Sequence, residues 1–321
     1  MSSMGVYHIS GLGRSPGALS VPLTTVYLLQ LGQHMGFEDA ERFFQYSGEM
    51  EGDGSHERIR GLPECIIVFT SAEVISGPSS KCKSDWFNLS FESTKLDKIY
   101  GDFFGSLFTH MEHEFGFKAS KFRFYLVKVN HTDFEDCFKK VGITMRCLER
   151  KEVWANMIGG SNQINAAILS AGAYAATVSN YYYIFQDNIQ LLEPEFVEKP
   201  KRNSNIQELI ERAMSRWYTL PIFNIDIGRV LRSINELFEG RRKINVKEIE
   251  NALEELGYGK GIIPKLRRML VFKGDTVERG DYFIKLYNIW TDIEETNIRN
   301  LSEWKKWCEG EGILTEMDVF G

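Results

Sequence analysis

Several features that mark common protein classes are missing from this sequence of 321 residues. Its five cysteines are odd in number and have no C-x-x-C spacing, which argues against a disulfide framework and a zinc ribbon. No apolar run approaches the ~20 residues needed to cross a bilayer, and no basic-then-apolar segment precedes the first predicted strand. We therefore expect a soluble, cytoplasmic protein with reduced thiols, and we expect no metal, cofactor or membrane contact.

An excess of positive charge is also missing. The formal net charge is −6 at pH 7, and residues 201–321 carry 20 basic and 20 acidic side chains, so the whole deficit lies in the first 200 residues. Such a balance gives no support to unspecific coating of nucleic acid. A phosphate-bearing ligand would need a local site.

Apolar runs alternate with helical patterns over about the first 190 residues. The runs at 6–10, 65–70, 124–129, 153–158 and 180–185 predict strands, and the segments between them predict helices, the first of which is expected to begin at Ser20. Residues 77–94 are polar and broken, and they predict an inserted loop. Strands that alternate with helices predict a doubly wound, mostly parallel, Rossmann-like α/β sheet.

The second part of the chain has a different pattern. A charged, proline-bearing stretch at 193–204 predicts a linker between a domain of residues 1–192 and a domain of residues 205–321. Helical patterns at 227–238, 246–256 and 262–270 precede an apolar segment at 276–286 with a hairpin turn at 279–281. Three short helices followed by a hairpin predict a winged helix-turn-helix-like domain. This domain has five basic residues that either bind DNA phosphates or simply lie on a solvent-exposed face. They are Arg241, Arg242, Lys265, Arg267 and Arg268.

Two glycine-bearing turns stand where a predicted strand leads into a helix. Residues 11–17 read Gly-Leu-Gly-Arg-Ser-Pro-Gly, and residues 156–162 read Asn-Met-Ile-Gly-Gly-Ser-Asn. Glycine lets backbone amides approach a ligand closely, and the helix N-terminus that follows attracts phosphate. In a parallel sheet both turns lie at the carboxyl edge, as does the turn at Thr70 and Ser71, and this is where α/β folds bind ligands.

Both turns resemble the signature motifs of the CRISPR-associated Rossmann fold (CARF) family. The likeness rests on the G-x-x-S-P-G turn after the first strand and on Gly159-Gly160-Ser161 followed by an alanine-rich helix, and it covers roughly residues 5–190. It implies a homodimer in which the turns of both subunits face one cyclic oligoadenylate, with cyclic tetra-adenylate favoured. The residues expected at the ligand are Gly11, Gly13, Pro16, Gly17, Thr70, Ser71, Asn156, Gly159, Gly160, Ser161 and Gln163.

Some CARF proteins are ring nucleases, which cleave the ring without a metal through attack of each ribose 2′-OH on its adjacent phosphate. By this resemblance Ser15 contacts the reacting ribose or phosphate. Many ring nucleases have lysine or arginine where this sequence has Asn162, which cannot neutralise charge. The resemblance therefore implies Ser15, Asn162 and Arg14 as catalytic candidates, with a lysine of residues 77–98 as an alternative cation.

The resemblance leaves two functions open. One is a ring nuclease that ends the signalling of type III CRISPR defence, and the other is a transcription regulator in which the same sensor controls a DNA-binding winged helix. A fused ribonuclease is disfavoured, because residues 201–321 contain no histidine for the Arg-x4-6-His pattern of such effectors. Chain length, the neutral second half and the long insertions favour the ring nuclease.

Overall fold

A computed structural model describes residues 5–46, 62–77, 80–175, 177–202, 205–220, 227–259, 263, 266 and 269–320. In these ranges strands and helices alternate along most of the chain. In chain order they are β1 (Val6–Leu12), α1 (Gly17–His34), α2 (Glu38–Tyr46), β2 (Pro63–Thr70), α3 (Ala72–Ser76), β3 (Cys82–Ser84), β4 (Leu89–Phe91), α4 (Leu96–Phe115), β5 (Arg123–Lys128), α5 (Phe134–Cys147), β6 (Val153–Asn156), α6 (Asn162–Ala175), β7 (Val178–Ile184), α7 (Ile206–Ser215), β8 (Trp217–Leu220), α8 (Ile227–Leu237), β9 (Lys243–Asn245), α9 (Val246–Glu255), β10 (Leu270–Lys273), β11 (Thr276–Arg279), α10 (Asp281–Glu295), α11 (Leu301–Gly310) and β12 (Leu314–Met317).

The centre of the molecule is a seven-stranded sheet in the order β12-β5-β2-β1-β6-β7-β8. The five inner strands are parallel, and the two edge strands, β12 and β8, run antiparallel to their neighbours. The predicted mostly parallel α/β sheet is confirmed. The five predicted strands are its parallel members, and the chain order changes direction between β1 and β6.

Alternate residues of the inner strands face two separate hydrophobic cores. In β1, Tyr7 and Ile9 join the core under α5 and α6, whereas Val6 and Leu12 join the core under α1 and α4. A strand covered on both faces must be apolar on both faces, which explains the continuous apolar runs in the sequence. All five cysteines are buried and free.

The first helix begins three residues earlier than predicted. It starts at Gly17 after Pro16, whose backbone (φ −61°, ψ −29°) already has helical values, so Ser20 is not the N-cap. Instead, Ser20 lies inside the helix with its hydroxyl directed to the carbonyl of Pro16, 3.4 Å away. A proline at the entrance of a helix needs no hydrogen-bonded N–H, and its fixed φ suits that position.

The predicted hairpin turn at residues 279–281 is wrong. The hairpin joins β10 to β11 through Gly274 (φ +63°), and β9 completes a three-stranded antiparallel sheet in the order β10-β11-β9. Residues after Gly280 form α10, which buries Phe283, Trp290 and Ile293 on one face. The predicted helix at 262–270 lies largely outside the described residues, and its last residue, Leu270, begins β10.

The predicted boundary at residues 193–204 is crossed by the central sheet and by one of its cores. Strands β8 and β12 both come from the later part of the chain, and α10 and α11 pack on α5. Gly142 of α5 permits this contact, because a Cβ there would lie 2.6 Å from the Cδ1 atom of Ile293. Trp304 of α11 is fully buried and donates a hydrogen bond of 2.9 Å to Thr144. The division into a sensor and a winged-helix domain stays a prediction.

None of the helices in the described ranges has the length and apolar character that crossing a membrane requires.

Candidate functional site

The two glycine turns touch each other at the carboxyl edge of the sheet, between β1 and β6. A Cβ on Gly159 would lie 2.2 Å from the carbonyl oxygen of Gly11, and one on Gly11 would lie 2.7 Å from the carbonyl oxygen of Gly159. Gly160 has φ +88°, a conformation that favours glycine. In the order β5-β2-β1-β6-β7 this is the point where the connections change direction, and open α/β sheets bind ligands there.

Asn156 is buried and connects the second turn to the first helix. It is 1% exposed, and its Nδ2 donates to the Ser10 hydroxyl (3.1 Å) and to the carbonyl of Ala18 (2.9 Å). That carbonyl is open to an outside donor because Pro22, four residues further on, has no N–H for the helix bond. Asn156 therefore holds the second glycine turn against the end of β1 and the start of α1.

The two turns form one wall of a cleft of about 230 Å³. Helices α1 and α6 begin directly after these turns. The unpaired amides of their first turns, and the positive ends of their dipoles, therefore lie beside the cleft. Its lining residues are Gly13, Arg14, Ser15, Gly17, Ala18, Val21, Ile158, Gly159, Gly160, Ile184, Gln186 and Ile189. The structure thus brings most of the predicted first motif and the glycines of the second motif together.

The Ser15 side chain lies at this cleft with its proton already engaged. Its hydroxyl donates a hydrogen bond of 2.6 Å to the carbonyl of Ile189, in the segment after β7. A serine hydroxyl has one proton and two accepting lone pairs, so Ser15 can still accept a hydrogen bond from a ligand hydroxyl.

The polar residues of the second motif have separate duties. The Ser161 hydroxyl accepts from the amide of Ile164 (3.3 Å), which caps α6, and donates to the carbonyl of His131 (3.2 Å). Asn162 and Gln163 are exposed in the first turn of α6. Neither lines the cleft as it stands.

The turn after β2 is held by hydrogen bonds to its neighbours. Thr70 is fully buried, and its hydroxyl donates to the carbonyl of Leu12 at 2.7 Å, which binds β2 to the end of β1. Ser71, 8% exposed, precedes α3 and hydrogen-bonds Glu73, which lowers the pKa of that carboxyl. The nearby charges of His131 and Arg14 lower it further, so these groups share the same edge.

Two cationic residues accompany the first turn. Arg14 is exposed, and its carbonyl accepts from the hydroxyl of Ser80, the residue before Lys81. Lys83 is instead bonded to Asp85 (2.8 Å) and Lys98 to Asp102 (2.8 Å). Of the lysines in the 77–98 segment, Lys81 is therefore the one whose neighbour in the chain is hydrogen-bonded to the first turn.

The basic residues predicted to meet DNA are only partly described. Arg241 pairs with Glu248 at 2.9 Å and also donates to the carbonyl of Leu237 at the end of α8, and Arg242 is exposed. Lys265, Arg267 and Arg268 lie outside the described residues. Within the described ranges, no three His, Cys, Asp or Glu side chains are grouped to hold a metal ion.

Sequence reasoning missed one side of the cleft. Val21, Ile158, Ile184, Gln186 and Ile189 line it, and three of these follow or end β7, for which the sequence predicts a strand but no part in this cleft. The place of β7 next to β6 in the sheet could have indicated this side of the cleft. Because β6 and β7 are parallel neighbours, the carboxyl end of β7 must lie next to the second glycine turn.

A buried carboxyl joins this side of the cleft to the β3–β4 hairpin. Glu193 is 1% exposed, and its Oε1 accepts from the amides of Asp85 (2.6 Å) and Trp86 (3.1 Å). Burial raises the pKa of Glu193, although hydrogen bonds from Ser84 and from the two amides act against that rise. The inserted segment 77–94 is thus tied to the chain that follows β7.

The raised pKa of Glu193 predicts a pH-dependent stability difference. The stability that this group contributes is fully present below its ordinary pKa of 4.5 and is lost as the pH rises through the raised value. Glu193→Gln keeps an oxygen for both amides and removes the charge. We expect the variant to have the higher free energy of unfolding at pH 7, with the difference shrinking toward pH 4.5, as measured by urea denaturation. Glu198→Gln, at an exposed position, controls for the lost charge. A difference that does not change with pH would contradict the assignment.

The chain is 47% identical over 320 residues to an uncharacterized protein of Archaeoglobus fulgidus, and the match covers 98% of each chain. The chain belongs to the family of that archaeal protein. No protein-family model matches it.

A solved structure similar to this one is Csm6 of Enterococcus italicus bound to cyclic hexa-2′-fluoro-hexa-dAMP, with a TM-score of 0.37 and 10% sequence identity. That match covers 95% of this chain but 60% of Csm6, so the chain spans less than two thirds of it. At this TM-score the likeness carries no argument.

Proposed function

We propose that this protein binds a cyclic oligoadenylate, with cyclic tetra-adenylate as the favoured ring, and cleaves it as a metal-independent ring nuclease of CRISPR defence. The observation that carries the proposal is the contact between the two glycine turns at the point where the sheet order changes direction. Close backbone packing there leaves two helix N-termini side by side, and this pairing suits adjacent phosphates of one ligand. The CARF-like motifs supply the identity of the ligand.

The size of the cleft supports a homodimer. At about 230 Å³ it is smaller than the ~300–1,000 Å³ of ordinary small-ligand pockets, so one chain encloses only part of a ring of several nucleotides. A ring with twofold symmetry is matched by two copies of the same edge, related by a twofold axis. We therefore propose that two copies of the turns at 11–17 and 159–162 face each other across the ring.

The proposed reaction needs orientation and charge stabilisation but no metal. The ribose 2′-hydroxyl releases its proton to water as its oxygen forms a bond to the adjacent phosphorus, the bond from that phosphorus to the 5′-oxygen breaks, and the departing 5′-oxygen takes up a proton from water. The products carry a 2′,3′-cyclic phosphate and a 5′-hydroxyl. Ser15 accepts a hydrogen bond from the attacking 2′-hydroxyl, and Arg14, Lys81 and Asn162 act on the phosphoryl oxygens.

A single incubation tests this proposal. Purified full-length protein is mixed with cyclic tetra-adenylate in EDTA, and the products are separated by chromatography while light scattering gives the oligomeric state. We expect linear products that end in a cyclic phosphate, formed by a dimer. If the protein binds the ring tightly but leaves it intact after hours, it is a sensor and not a nuclease. If the chain is strictly monomeric with and without ligand, the proposal of a site shared by two subunits is wrong.

The regulator alternative is favoured by one observation, the arrangement of α8, β9, α9 and the β10–β11 hairpin around a three-stranded antiparallel sheet. Two of its basic side chains are neutralised, since Arg241 pairs with Glu248 and Lys243 pairs with Glu278 (3.0 Å). Tight, salt-sensitive binding to promoter DNA that changes with oligoadenylate would favour the regulator over the nuclease.

A further inference from the structure

The segment that follows β7 is held in place along its whole length. The carbonyl of Ile189 accepts from Ser15, the carbonyl of Gln190 accepts from the amide of Lys83 (2.9 Å), and the amide of Leu192 donates to the carbonyl of Lys83 (3.0 Å). On its other side it packs against Gly17, where a Cβ would lie 2.3 Å from the carbonyl oxygen of Leu191. This backbone is therefore fixed between the start of α1 and the β3–β4 hairpin.

Two apolar side chains of this segment, Phe185 and Ile189, are exposed, and of these Ile189 lines the cleft. Ile189 is 68% exposed although its own carbonyl is anchored, and it lies at the cleft with Val21, Ile158 and Ile184. The cleft therefore has two different sides, one made of glycine backbone and helix N-termini and the other made of aliphatic side chains. Of these side chains, Val21 and Ile184 are buried, and Ile189 provides the exposed apolar surface. The anchored backbone keeps the Ile189 side chain at the cleft. A ligand that covers this side chain removes its apolar surface from water, which favours binding.

The polar group on the aliphatic side is occupied. The side-chain nitrogen of Gln186 donates to the carbonyls of Asn188 (2.8 Å) and Leu191 (3.4 Å), and its oxygen accepts from the amide of Glu195 (3.2 Å). The donors of this amide are thus used within the segment. On this side of the cleft the exposed group is therefore the apolar side chain of Ile189, because the polar atoms of Gln186 are already hydrogen-bonded.

We propose that the exposed Ile189, in a cleft also lined by Val21, Ile158 and Ile184, forms a wall against which one adenine base of the ligand lies, while the glycine turns hold the neighbouring phosphate. This inference rests on the proposed function and makes Ile189 a residue that determines base preference. A purine covers more apolar surface than a pyrimidine, so the wall favours adenine over uracil by area.

Binding measurements on the full-length chain test the wall directly. Calorimetry in EDTA, completed before turnover, gives Kd for cyclic tetra-adenylate and for cyclic tetra-uridylate with the wild type and with Ile189→Ala. We expect the wild type to prefer the adenylate ring. The variant should bind that ring about tenfold more weakly, because the carbons beyond Cβ no longer contact the base, and should lose less affinity for the uridylate ring.

Two further variants sharpen the result. Ile284→Ala makes the same change at another exposed isoleucine, on α10 and outside the cleft lining, and should leave both Kd values within about twofold of the wild type. Ile189→Met restores an apolar side chain and should recover most of the preference for adenylate.

The outcomes separate this inference from the proposed function. If Ile189→Ala binds cyclic tetra-adenylate as tightly as the wild type, the wall is wrong and the proposed function stands. Equal losses for both rings would also overturn the wall, since Ile189 would then act on the shape of the site and not on the base. If the wild type binds neither ring, the proposed function fails and the inference fails with it.

Discussion

Ser15→Ala is expected to lower the rate of oligoadenylate cleavage about a hundredfold while weakening binding only a few-fold. The helix N-termini and the glycine turns hold the phosphates without the hydroxyl, so most of the ground-state affinity survives. Alignment of the ribose for in-line attack depends on the serine oxygen, whose proton is fixed on the Ile189 carbonyl, and a misplaced reacting group costs on the order of 10²-fold. Single-turnover cleavage and calorimetry on the same preparation measure both quantities.

Ser215→Ala provides the matched control. Ser215 is exposed, its hydroxyl donates to the carbonyl of Arg212 at the end of α7, and it is not among the residues that line the cleft. This variant should cleave and bind as the wild type does. Wild-type cleavage by Ser15→Ala would show that the serine has no part in the reaction, and an equal loss of binding and cleavage would make it a binding residue only.

Gly159→Ala is expected to destabilise the protein by about 3 kcal/mol and to abolish ligand binding. The added Cβ would lie 2.2 Å from the Gly11 carbonyl oxygen and 3.3 Å from the Cβ of Ala18, so the two turns must move apart. Overpacking of this kind costs ~1–3 kcal/mol, and the contact here is with backbone that is held by two strands. Urea denaturation gives the free energy of unfolding, and calorimetry with cyclic tetra-adenylate gives the binding.

Gly13→Ala makes the same change in the same cleft without a clash. No atom lies within 4 Å of the Cβ that would be added there, so the free energy of unfolding should stay within about 0.5 kcal/mol of the wild type. If Gly159→Ala were as stable as Gly13→Ala, the contact between the two turns would not be a constraint on the fold, and the basis of the proposed site would be lost.

The parallel core of the fold was predictable because its signals are local. Each inner strand is an apolar run bounded by a turn. Such a continuous apolar run is the pattern expected of a strand that is buried on both faces. The edge strands have no such signal, since β8 and β12 are four residues long with exposed or half-buried positions. Their places beside β7 and β5 depend on how the last third of the chain folds back over the sheet.

The error at residues 279–286 has a similar origin. A glycine flanked by Arg279 and Asp281 resembles a hairpin turn, and Tyr282-Phe283-Ile284 resembles a strand, but Phe283, Trp290 and Ile293 have helical spacing over a longer window. Packing against α5 and α8 decides in favour of the helix. Short apolar runs are ambiguous until their partners are known.

The candidate site shows the same division. By itself, the sequence determined that two glycine turns stand at strand-to-helix junctions, that they lie on one edge of a parallel sheet, and that Ser15 belongs to the first of them. Only the tertiary structure decided that Gly11 and Gly159 are in contact, that Asn156 and Thr70 are buried and hydrogen-bonded to carbonyls of α1 and β1, and that Ile189 lies on the other side of the cleft. Turn and strand signals come from interactions between near neighbours in the chain, whereas these contacts join residues far apart in sequence whose approach depends on strand order and packing.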